Sequence, residues 1–231
     1  LVYDPKILTA SEQIVASSPM HELARYEDAV QKAQKSLLEI QDSFTGRDDN
    51  KAEIFAAHLD MIDDEEITEE IRSAISNGME AAAAVETVYQ QYADLMASLK
   101  DDFMVQRAHD LLDVQQRMLR LLLNVPEQNL SRLEEPAVII CDDLLPSDTA
   151  TMDRTNVIGI VASKGGYTSH SAIIARGLGI PAVLGIPDIV HLISPGEVVI
   201  LDAVTGRLHT DSTPLEQKEA GRDDFTKIPG G

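Results

Sequence analysis

From Pro19 to Pro126 the apolar residues return every three or four positions, and after Pro136 they do not. This change of period limits the fold more than any other feature. A 3.6-residue repeat and a short β-branched run bury their apolar faces in incompatible ways. In the first stretch Leu23, Tyr26, Val30, Ala33, Leu37 and Ile40 mark one helix, closed by Gly46. Ile54, Phe55, Leu59 and Ile62 mark a second, and Ile67, Ile71, Ala74 and Ile75 a third that stops at Asn77-Gly78. An Ala-rich fourth runs from Ala81 to Leu99. A fifth carries Met104, Ala108, Leu111, Leu112, Met118, Leu119 and Leu122 before Asn124-Val125-Pro126. Gly and Asn at these ends, with short connections, predict an antiparallel helical bundle.

Beyond Pro136, Ala137–Cys141, Val157–Val161, Ala182–Leu184 and Glu197–Leu201 predict strands with helical pieces between them. Val204-Thr205-Gly206-Arg207-Leu208 predicts a hairpin or tight turn. Together these form an α/β domain. The run Leu1–Leu8 is expected to join the same sheet, which makes the helical bundle an insertion. The expected divisions are therefore 1–18 with 127–212 as the α/β domain and 19–126 as the helical domain. Residues 213–231, where periodicity fades and the chain ends Pro-Gly-Gly, are expected to be a linker or tail. The first residue is Leu1 rather than Met, so the natural start is expected to lie upstream.

Acidic residues outnumber basic ones 39 to 19, for a net charge of −20. That balance argues against nucleic acid or an anionic membrane bound through a basic surface, and it suits a basic protein partner. The same charge also keeps a protein soluble, and both readings hold. The single cysteine, Cys141, lies in an apolar run and reads as a buried strand residue, so no internal disulfide framework exists. With no signal peptide and no apolar run long enough to cross a bilayer, a cytoplasmic location is expected. No set of residues is expected to hold a metal ion.

The chemistry concentrates in Lys164-Gly165-Gly166-Tyr167-Thr168-Ser169-His170-Ser171-Ala172-Ile173-Ile174-Ala175-Arg176. Two glycines relax the backbone, two hydroxyls follow, and His170 opens an apolar helical pattern ending at Gly177 and Gly179. A helix start favours anions through its unpaired N–H groups and its dipole. Two readings fit the residues alone. His170 holds a phosphoryl group, or Thr168 or Ser169 is an ordinary cap and the histidine is merely exposed.

The run Gly165 to Gly185, GGYTSHSAIIARGLGIPAVLG, resembles the phosphohistidine signature of enzymes that use phosphoenolpyruvate. These include Enzyme I of the bacterial sugar phosphotransferase system, pyruvate phosphate dikinase and phosphoenolpyruvate synthase. A short strand, a helical bundle and then the phosphohistidine domain resemble the amino-terminal half of Enzyme I. They also resemble the Enzyme I-like domain of the multidomain phosphotransferase subunit of dihydroxyacetone kinase. The resemblance covers residues 1 to 210. It implies an α/β swivelling phosphohistidine domain with an inserted antiparallel α-helical bundle, and His170 as the catalytic, phosphorylated residue. Gly165, Gly166, Thr168, Ser169 and Arg176 are implied to support the phosphoryl group. So is Thr149, in Leu145-Pro146-Ser147-Asp148-Thr149-Ala150, whose hydroxyl is implied to contact the active histidine. Tyr167 stands where the signature often has arginine, and Lys164 is a candidate substitute.

In Enzyme I the bundle receives the small basic phosphocarrier protein HPr. The stretch Glu53 to Ile67 resembles the segment that does so, with Asp60 replacing a commonly apolar residue. Lys51, Asp60, Met61, Glu65 and Ile67 are accordingly the expected partner-binding residues, Met61 and Ile67 forming an apolar centre within an acidic rim. The alternative is that Met61, Ile62 and Ile67 are bundle core and the carboxylates a solvated face. His58 reads as a polar residue packed between helices. The implied partners are HPr and the parent's phosphoenolpyruvate-binding domain, which this sequence lacks. No cofactor is expected here, Mg²⁺ being implied only for that domain. Two other functions fit: the swivelling domain of a dikinase or synthase, and a regulatory module that docks HPr without turnover.

Overall fold

The computed structural model describes residues 18–99, 101–125, 130, 131, 133–164, 172, 175–177 and 179–210. The expected strand at Leu1–Leu8, the loop with Gly165, Gly166, Tyr167, Thr168 and Ser169, the active residue His170 and the tail 213–231 lie outside these residues. The described residues form two compact units. One holds the helices up to residue 125 together with 145–151; the other holds 130–144 and 152–210.

The helical unit contains α1 (Pro19–Phe44), α2 (Asp49–Ile62), α3 (Glu65–Ser76), α4 (Ala81–Ser98) and α5 (Asp102–Leu122). Four starts are capped by their own side chains, Ser18, Asp48, Asp64 and Asp101, each accepting from a first-turn N–H. Helix α4 has no such cap. Glu22 of α1 supplies it, accepting from Ala81 N–H at 3.1 Å. Asn77-Gly78 ends α3 in a Schellman turn: Gly78 has φ +98°, and Met79 N–H reaches back to Ala74 O. Asn124, at φ +54°, ends α5 in the same way, with Val125 N–H bound to Ala74's counterpart there, Arg120 O. Arg25, near the start of α1, donates to Leu122 O at the end of α5, so those two helices run antiparallel. The buried residues of α1, Tyr26, Ala29, Ala33 and Leu37, form one stripe against Phe55, Ile71, Val85, Val88, Leu111 and Met118.

The α/β unit holds a parallel sheet, β1 (Ala137–Cys141), β2 (Val157–Ala162) and β3 (Ala182–Leu184), in that order, with Ile139 opposite Ile160 and Val161 opposite Val183. Both faces are covered, which explains its unbroken apolar strands. Ile139, Cys141, Ile160 and Ala162 pack on one side with Ala175. Ile140 and Val161 pack on the other with Ile189 and Val190 of α7 (Ile189–Leu192). The strands β4 (Ile200–Asp202) and β5 (Arg207–His209) form an antiparallel hairpin. The expected start of β4 at Glu197 is displaced to Ile200, because Glu197 is used in a turn, its carboxylate accepting from Ser194 N–H at 2.9 Å.

One helix departs from the expected division. The helix α6 (Pro146–Thr151) lies in sequence between β1 and β2, within the span expected to be α/β, yet it packs in the helical unit on α2 and α5. All five residues from Pro146 to Ala150 are buried, and Ala150 joins the bundle core.

Candidate functional site

The central strand β2 runs directly into the glycine loop. In open parallel sheets the carboxyl ends of strands are where ligands bind. Here the exit is firmly mounted: Ser163 N–H donates to Cys141 O at 2.9 Å and Lys164 N–H to Asp142 O at 2.8 Å. The Lys164 side chain is exposed. After the loop, residues 172 and 175–177 are helical. The helix ends at Gly179, φ +66°, in a second Schellman turn, with Ile180 N–H bonded to Ala175 O at 2.9 Å. The expected end of this helix is thus in place. Arg176 is exposed in its last turn, where a cation suits the negative end of the dipole.

Thr149 is 8% exposed, and its hydroxyl donates to Pro146 O at 2.8 Å, within its own helix. Its neighbour Ser147 makes the longer-range contacts. Its N–H and its hydroxyl both donate to Asp113 of α5, each at 2.8 Å. Lys51 of α2 donates to Ala150 O from the other side and lies 4.9 Å from the Phe44 ring centroid. Lys51 therefore ties α2 to α6. Asp113 is the buried functional candidate that periodicity did not expose. It falls among apolar neighbours on α5, and its partner is 34 residues away in sequence.

Helices α2 and α3 present a dense acidic face. Asp60, Asp63, Asp64, Glu65, Glu66, Glu69 and Glu70 are all exposed, with no basic residue among positions 60 to 70. Partial burial pushes the Tyr92 hydroxyl up to about 12, and its hydrogen bond to Glu70 and the charges of Glu66 and Asp64 add to the effect. Met61 and Ile67 do not form an apolar centre on this face. They are 9% and 4% exposed and belong to the bundle core, because each falls on the buried stripe of its helix with Phe55 and Ile62 or with Ile71 and Ile75. Among the described residues of α2 and α3, no large apolar side chain is exposed. Asp60 and Glu65 remain accessible; Met61 and Ile67 support them from beneath.

Comparison with known proteins agrees with this arrangement. Residues 2–107 match the family described as PEP-utilising enzyme, N-terminal, and residues 133–206 match PEP-utilising enzyme, mobile domain. The chain is 37% identical over 218 residues to the phosphoenolpyruvate-protein phosphotransferase of Bacillus sp. (strain S), covering 91% of this chain and 38% of that protein. It is 40% identical over 193 residues to the protein of the same name from Priestia megaterium, covering 82% and 34%. It thus spans well under half the length of these relatives. Among solved structures, an NMR solution structure of Enzyme I matches with TM-score 0.75 and 37% identity, over 94% of this chain and 88% of that one. The N-terminal domain of Enzyme 1 - Nitrogen matches with TM-score 0.60 and 26% identity, over 95% and 92%. With most of an Enzyme I structure matched at that identity and both family models in the expected order, the chain belongs to the phosphoenolpyruvate-utilising enzymes as an Enzyme I amino-terminal region.

Proposed function

We propose that this chain is the phosphoryl-relay part of a phosphoenolpyruvate-protein phosphotransferase, with His170 as the carrier and HPr as the acceptor. The Nε2 lone pair of His170 attacks the phosphorus of phosphoenolpyruvate bound on the parent's other domain. The P–O bond breaks, enolpyruvate leaves, and it takes up a proton as it becomes pyruvate. A histidine nitrogen of HPr then attacks the same phosphorus, and the P–N bond to His170 breaks. Such transfer needs positioning and charge neutralisation more than covalent work by the protein. A neutral imidazole is nucleophilic near pH 7 because its ordinary pKa is about 6.5.

The observation that carries this proposal is the run Gly165 to Arg176 placed at the carboxyl end of the sheet's central strand. The exposed carboxylates of α2 and α3 support a basic carrier as the partner. Among the described residues no helix is long and apolar enough to cross a membrane, and we place the protein in the cytoplasm. Incubating the chain with phospho-HPr and weighing the intact product tests the proposal. One acid-labile phosphate is expected on the wild type and none on His170→Ala. Phosphoenolpyruvate alone is expected to label neither. An unlabelled wild type, or equal labelling of both, contradicts it. A chain that ignores phospho-HPr but accepts phosphate from a nucleotide-binding partner would instead be a dikinase-type swivelling domain.

A further inference from the structure

The Asp113 carboxylate is 2% exposed, and both of its oxygens are committed to one residue. Ser147 N–H donates to Oδ2 and Ser147 Oγ–H to Oδ1, each at 2.8 Å. Hydrogen bonds to a buried charged group are among the stronger ones, and a two-point contact fixes direction as well as distance. The helix so held has only six residues, too few to be stable by itself. Its first turn is further set by Asp148, which accepts from Leu145 N–H at 3.1 Å. From Leu145 the chain runs back only three residues to Asp142, whose carbonyl accepts Lys164 N–H at 2.8 Å. Lys164 is the residue immediately before Gly165. A single buried carboxylate is thus linked, through one serine and a short stretch of backbone, to the base of the glycine loop.

We infer that Asp113 is a positioning residue for phosphoryl transfer: by holding Ser147 it fixes the segment from which the chain passes to the mount of the Gly165-Gly166 loop. The inference rests on the proposed relay function for its kinetic consequence, and on the hydrogen bonds alone for its structural one. Asp113 touches no reacting group and lies away from the acidic face of Asp60 and Glu65. Its loss therefore slows the chemical step and leaves carrier docking unchanged.

The test compares wild type, Asp113→Ala, Asp113→Asn, Ser147→Ala and the Asp113→Ala/Ser147→Ala double variant in the whole chain. Amide exchange is read by mass spectrometry, transfer from phospho-HPr by quenched flow, and HPr affinity by calorimetry. In Asp113→Ala, exchange at 145–151 and at 163–166 is expected to speed up by about tenfold or more, with α1 and α4 unchanged. Transfer is expected to slow by about tenfold while the Kd for HPr stays within about twofold. Asp113→Asn keeps one acceptor and is expected to recover part of the rate. The double variant is expected to be no slower than Asp113→Ala. Wild-type exchange at 163–166 in Asp113→Ala overturns the inference, as does a wild-type transfer rate. So does a parallel loss of rate, affinity and protection throughout the bundle with no recovery in Asp113→Asn. Should the wild type accept no phosphate from phospho-HPr, the relay proposal fails, and the exchange at 163–166 still decides whether Asp113 holds the loop's mount.

Discussion

His58 lies fully buried between α2 and α5, with Asp110 Oδ1 3.8 Å and Asp113 Oδ2 4.0 Å from its Nε2. Neither ring nitrogen has a hydrogen-bond partner. A sealed imidazole of this kind cannot receive phosphate, so His58 is expected to stay unlabelled when His170 is replaced. Because it makes no hydrogen bond, His58→Leu removes only polar burial and is expected to change unfolding free energy by less than about 1 kcal/mol in a urea titration. A loss several times larger would show that His58 is bonded after all. Glu22 is the opposite case. It is 2% exposed, pairs with Arg25 at 2.8 Å and caps α4 through Ala81. Glu22→Ala leaves that helix start and the guanidinium without their acceptor, and is expected to cost about 2–4 kcal/mol by the same titration. The roles of His58 and Cys141 as buried residues follow from their apolar neighbours in sequence. The Asp113–Ser147 and Glu22–Ala81 contacts do not, since each joins residues more than thirty positions apart.

At the level of elements, periodicity was sufficient wherever an element's own residues decide its fate. The five bundle helices, their Gly and Asn stops, and the strands β1 and β3 fall where spacing places them. It was insufficient for Met61 and Ile67, because amphipathic spacing locates an apolar stripe but not which side of the stripe meets solvent. It was insufficient again for α6, a short helix whose packing is set by Asp113 and Lys51 rather than by its own sequence. The β4–β5 hairpin offers a local test. Asp202 accepts from the Thr205 hydroxyl and from the N–H groups of Thr205 and Val204. The Thr205 hydroxyl first, and then these N–H groups, hold the Asp202 carboxyl below its ordinary 3.8. A depressed carboxyl pKa stabilises the fold above the unfolded value, and that contribution is lost as pH falls through the folded one. Amide exchange at Val204 and Thr205 is therefore expected to accelerate only below about pH 3.8. In Asp202→Asn this pH dependence should be absent; its persistence would assign the effect to another group.

For the molecule as a whole, function divides between a charged helical face and a loop mounted on a sheet. Exposed carboxylates steer encounter through long-range fields that salt screens over about 8–10 Å. Glu65→Lys with Glu66→Lys is accordingly expected to slow HPr association by roughly tenfold at low salt, and much less at high salt, in stopped-flow mixing. Equal slowing at both would remove electrostatics from the account. The family and its chemistry were legible because the phosphohistidine signature is dense in chemically particular residues over Gly165 to Gly185. The absent part of the parent was legible only by resemblance, and the relatives, of which this chain spans 34–40%, bear that out. The central claim is that one imidazole nitrogen carries the phosphate. Phosphorus NMR of the chain labelled with ¹⁵N-histidine, recorded after reaction with phospho-HPr, tests this most directly. One phosphoramidate resonance coupled to Nε2 of His170, and lost in His170→Ala, is predicted. No such resonance, or one that survives in that variant, would contradict the account.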